Sequence, residues 1–79
     1  MAQLPPDGRL LIQQNDGIVT VFDQHTQKEY HNFDPSNADE TAITQGKIWH
    51  DERMTEEQRC FAIFWSGYFY AHARARELD

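Results

Sequence analysis

Between Cys60 and Ala71 the chain reads CFAIFWSGYFYA, with Ser66 as its one clearly polar side chain. Polar sequence brackets the run, MTEEQR before it and HARAREL after it. Thr55 followed three residues later by Gln58 is a capping box: each side chain satisfies a backbone N–H left without a partner at the helix start. Glu56 and Glu57 suit the positive end of a helix dipole, and Arg74 and Arg76 the negative end. These signals predict one long, central helix over residues 55–78, spanning roughly 30 Å at the usual helical rise.

That helix is apolar on too many sides for a small chain. At helical spacing Phe61, Phe64, Tyr68 and Ala71 form one stripe and Ala62, Trp65, Phe69 and His72 a second, while Ile63, Gly67 and Tyr70 lie beyond the first. A small sheet and one short helix cover one such stripe. Burying a large apolar side chain gains about 1.5–3 kcal/mol over leaving it in water, so the remaining rings call for a partner surface. A self-complementary contact across a two-fold axis is the commonest way to supply one. The expected interface is Phe61, Phe64, Trp65, Tyr68, Phe69 and His72, with Ser66 and Gly67 as small residues that let a second backbone approach.

The first half of the chain has the other periodicity. GRLLIQQ and GIVTVFD flank the turn-forming NDG, and DQHTQ then leads into KEYHNF, which together predict a three-stranded antiparallel meander over residues 9–33 behind an N-terminal arm, residues 1–8. A three-residue loop, Asn15 to Gly17, puts Leu10, Ile12, Ile18 and Phe22 on one face and Leu11, Val19 and Val21 on the other; a two-residue loop, Asp16-Gly17, regroups them. Strand alternation sends Tyr30 and His31 to opposite faces. Helix-start signals follow at Asp34 with Pro35, at Ser36 with Asp39 and at Asn37 with Glu40, so a first helix is expected over 35–53 with Ala38, Ala42, Ile43 and Trp49 inward. The predicted fold is a single α+β domain, residues 1–79.

Composition narrows the function classes. Thirteen acidic against seven basic residues give a formal charge of −6, which opposes a grip on phosphate backbones, so nucleic acid is not an expected partner. No basic start with a long apolar segment opens the sequence, and no stretch reaches the roughly 18 apolar residues of a spanning helix. A cytoplasmic protein without a membrane partner is expected. The lone Cys60 excludes an internal disulfide and reads as a small buried hydrophobe.

Chemistry-bearing patterns are sparse. His25, His31, His50 and His72 show no i, i+3 or i+4 pairing with one another, so no metal or other cofactor is expected. Residues 49–53, WHDER, gather groups able to do acid–base work, with His50 and Asp51 as its members; the pattern is more often a solvated helix end, and that is the reading taken, with Trp49 turned inward. Ser66 has no visible base. The sequence therefore points to a non-enzymatic protein-interaction module, self-associating as a homodimer, of a size and acidity that suit an accessory or inhibitor protein of bacteriophage type. The alternative is a nucleotide-like ligand held by Trp49, Tyr70 and Arg74 in an aromatic pocket at a subunit seam.

Overall fold

The computed structural model describes the backbone of residues 2–3 and 10–78 and the side chains of residues 10–76. Four strands, β1 (Ala2–Gln3), β2 (Leu10–Asn15), β3 (Ile18–Asp23) and β4 (Lys28–Phe33), form one antiparallel sheet in the order β1-β2-β3-β4. Two helices follow, α1 (Ala38–Trp49) and α2 (Glu56–Leu78). The expected α+β architecture, a three-stranded meander and then two helices with the second the longer, is the one observed. In addition, Ala2 and Gln3 from the predicted arm pair with Gln13 and Ile12 at the β2 edge. The rest of the arm lies outside the described residues.

Asp16 and Gly17 decide the register. Both have positive φ, 51° and 84°, the requirement of a two-residue type I′ turn, whose twist matches that of the strands it joins. Asn15 therefore pairs with Ile18 and Ile12 with Val21, which rules out the three-residue loop. Leu10, Ile12, Val19, Val21 and Phe33 are buried on the face that the helices cover, with Ile48 of α1, Met54 of the interhelical loop, and Ala62 and Phe69 of α2. Asp23 ends β3, its Oδ1 accepting the backbone N–H groups of His25 (2.8 Å) and Thr26 (3.2 Å) to shape the turn into β4.

β4 is not regular. Val21 pairs with His31 but Phe22 pairs with Glu29, which leaves Tyr30 as an extra residue in the ladder. A bulge of this kind interrupts side-chain alternation. Tyr30 and His31 consequently do not diverge as expected: both reach the loop after α1, Tyr30 through its ring beneath Arg53 and His31 through Asp51.

α1 begins later and ends sooner than residues 35–53. Asn37 is its cap, the side chain accepting from Glu40 N at 3.0 Å while the Glu40 carboxylate accepts from Asp34 N. The buried residues of α1 are Thr41, Thr44 and Ile48. Ile43 is 59% exposed and Trp49 57%, so the inward face is not the Ala38, Ala42, Ile43 and Trp49 side. Five residues apart, Ile43 and Ile48 lie about 140° apart around a helix, so only one of them can face the sheet. α2 has the capping box its sequence predicts: Gln58 N donates to Thr55 Oγ1 at 3.1 Å, and Thr55 N to Gln58 Oε1 at 2.9 Å.

Candidate interaction surface

α2 has two flanks and they are built differently. Ala62, Ser66 and Phe69, at i, i+4 and i+7, form the buried stripe. On the flank toward α1, Gln45 Nε2 donates to Ser66 Oγ at 2.8 Å and Ser66 Oγ donates to the Ile63 carbonyl at 2.7 Å. A Cβ placed on Gly67 would lie 3.8 Å from Gln45 Nε2. Ser66, 1% exposed, and Gly67, whose nearest neighbour is Gln45, thus serve the contact between the two helices of one chain.

The opposite flank, above the β2 side of the sheet, is aromatic. Phe61, Trp65, Tyr68 and His72 follow one another at spacings of four, three and four residues, the repeat that keeps side chains in a line along a helix. Their rings touch in sequence. Phe61 and Trp65 have centroids 6.3 Å apart, Trp65 and Tyr68 4.7 Å, Tyr68 and His72 4.4 Å, within the range in which tilted and edge-on aromatic pairs attract. Phe64 meets Trp65 edge-on at 5.4 Å and is 67% exposed. Phe61, Trp65 and Tyr68 are half-buried against the core and His72 is exposed. Phe69 differs, being 5% exposed and a member of the core. Five of the six expected interface residues therefore form one continuous, partly open array. A cleft of about 260 Å³ extends it, between Tyr68, His72, Arg76 and Gln14 of β2.

Cys60 is exposed, contrary to its reading as a buried residue. Two residues before Ala62, it lies about 160° around the helix from that buried position.

The residues of WHDER are sorted by the loop that joins the helices. Asp51 is buried and is the centre of a polar knot. Its Oδ2 lies 2.7 Å from both His31 Nε2 and Arg53 Nη2, and its Oδ1 accepts from Arg53 Nε and from Arg53 N, each at 2.9 Å. The Arg53 guanidinium also lies 5.0 Å from the centre of the Tyr30 ring. Hydrogen bonds from the Arg53 guanidinium are the main cause that holds the Asp51 carboxyl well below the usual carboxylate range; burial opposes them, and the Arg53 N–H and His31 add to them. Arg59 Nη1 closes the loop from the α2 side, toward the carbonyls of Asp51 (3.4 Å) and Met54 (3.5 Å). His50 is exposed, and its backbone N–H bonds to the Gly46 carbonyl. The acid–base pairing of His50 with Asp51 is thus replaced by His31 with Asp51, a contact between residues 20 apart in the chain.

Tyr70 and Arg74, at i and i+4, lie on one face of α2, and Trp49 is on α1. With Gln45 beside Ile63 and Ser66, Trp49 lies one turn toward the loop and Tyr70 one turn away from it, about 12 Å apart along the helix axes. None of the three lines the cleft beside Tyr68 or the polar clefts between β4 and α1. Among the described residues no three His, Cys, Asp or Glu side chains converge, and no helix is long and apolar enough to cross a membrane. Comparison with protein-family models, curated proteins and solved structures finds no match.

Proposed function

We propose that the chain is a small non-enzymatic interaction module that associates with a second copy of itself through the aromatic flank of α2. The observation that carries this reading is the exposure of Phe64, 67%, at the rim of a line of half-buried rings. Phe69 alone of the six expected residues is enclosed by its own chain, and a partly open aromatic array with an exposed ring at its rim is characteristic of contact sites. The ionisable cluster at Asp51 supports the same reading, since its groups are engaged in holding the loop between the helices.

Light scattering across a concentration series tests it. The native chain should give the mass of a dimer, and Phe64→Glu the mass of a monomer with an unchanged circular dichroism spectrum. Trp65→Glu should do the same at some cost in stability, because Trp65 also packs on the core. A native chain that stays monomeric while its melting temperature rises with added nucleotides would replace this reading with the ligand-binding one.

A further inference from the structure

The aromatic flank of α2 has a second property, visible once charge is added to it. Continuing the line of rings by one turn in each direction gives Glu57, Phe61, Trp65, Tyr68, His72 and Arg76. These six residues are symmetrically placed about the point midway between Ser66 and Gly67. Trp65 and Tyr68 are equidistant from it, as are Phe61 and His72, and as are Glu57 and Arg76. The paired positions hold ring against ring, ring against ring, and carboxylate against guanidinium. Glu57 and Arg76 are both exposed, and Arg76 borders the cleft that Tyr68 and His72 line.

Such an arrangement fits its own copy in one orientation. A two-fold axis perpendicular to α2 at its midpoint reverses the helix, so every residue comes level with its symmetry mate in the series above. Resting on the reading of α2 as the self-association surface, the geometry points to an antiparallel pairing of two α2 helices centred between Ser66 and Gly67. Trp65 of each copy then lies level with Tyr68 of the other, and Phe61 with His72, at the mouth of the cleft. A Glu57–Arg76 pair closes the seam at each end, and Phe64 covers its rim. A parallel pairing would instead set Glu57 against Glu57 and Arg76 against Arg76, like charges that repel at both ends. Within one chain the two residues are 19 positions apart on a straight helix, about 28 Å, so they cannot pair with each other.

Charge reversal and mixing test the register with the full-length chain. Glu57→Arg places two arginines at each end of the seam and Arg76→Glu two glutamates, so each variant alone should dimerise at least about 10-fold more weakly than the native chain. An equimolar mixture should recover near-native affinity, because the arginine introduced in one variant then meets the glutamate introduced in the other. Sedimentation equilibrium gives the affinities, and circular dichroism checks that each variant keeps its helix. Should either reversal lose helicity, Glu57→Gln and Arg76→Gln take its place, and each should weaken dimerisation by a few-fold. Reversal variants that bind as tightly as the native chain, or a mixture no tighter than its components, would overturn the register. If Phe64→Glu still gives monomers in that case, self-association through α2 stands and only the antiparallel centre fails. A native chain that is monomeric at every concentration overturns both.

Discussion

The two flanks of α2 belong to the same helix and solve opposite problems. Toward α1, and in the loop that joins the helices, the buried polar groups meet partners of their own chain: Gln45 meets Ser66, and Asp51 meets His31 and Arg53. Among the described residues no buried side-chain nitrogen or oxygen is without a hydrogen bond. On the other flank the rings are ordered against one another, yet Phe64 stands in water. Polar satisfaction requires a specific partner at hydrogen-bond distance and so fixes one packing, whereas aromatic surface accepts any apolar cover. The closed flank fixes how the two helices pack, and the open flank leaves aromatic surface uncovered by its own chain.

Substitutions that separate the flanks give the sharpest tests. Phe69 and Phe64 are chemically identical and five residues apart, so the largest expected effect lies between them. Phe69→Ala should lower the unfolding free energy of the isolated chain by about 3 kcal/mol, and Phe64→Ala should change it by less than about 0.5 kcal/mol, measured by urea denaturation at a concentration where the chain is monomeric. Equal losses would mean that the open flank is closed in solution.

On the closed side, Asp51→Asn should cost about 1 kcal/mol near neutral pH, a modest figure because its main partner Arg53 is 48% exposed. The pH dependence is the more telling readout. A carboxyl whose folded pKa is lowered stabilises the fold at pH values above its unfolded value, about 4, and the contribution is lost as pH falls through the folded value. Acid titration of thermal stability should show that loss in the native chain and a flatter profile in the variant.

The smallest effect has the opposite sign. Gly67→Ala should raise stability by about 0.5–1 kcal/mol, since alanine is the better helix former and the added Cβ meets Gln45 Nε2 at an ordinary 3.8 Å. Dimer affinity should not move. A fall in affinity would show that a second backbone does approach at Gly67.

The contrast between short-range and long-range contacts also explains what could be read in advance. The strands, the capping box at Thr55 and the extent of α2 rest on neighbours within a few residues, and such signals survive in sequence. Asn37 is one of three caps that the sequence offers α1, and only the backbone separates them. The inward face of α1 is not legible. Ile43 and Trp49 are among its largest apolar side chains, yet the helix presents Thr41, Thr44 and Ile48. What turns it lies elsewhere: Gln45 must reach Ser66, 21 residues on, and Asp51 must reach His31, 20 residues back. Neither link leaves a periodic trace. The bulge at Tyr30 is hidden for a related reason, because a single extra residue looks like any other until its neighbours are paired across the sheet.

A last consequence comes from length. α2 has 23 residues and so extends about 34 Å, nearly the 37 Å of the longest dimension of the molecule, while a six-residue strand beneath it extends about 20 Å. The rod outruns its support, and the side chains from Arg74 to Arg76 are all exposed. In a solitary chain the amide protons of residues 74–76 should exchange with water well before those around Ser66. Deuterium uptake along this one helix therefore doubles as a ruler, marking how far the supporting surface extends under it.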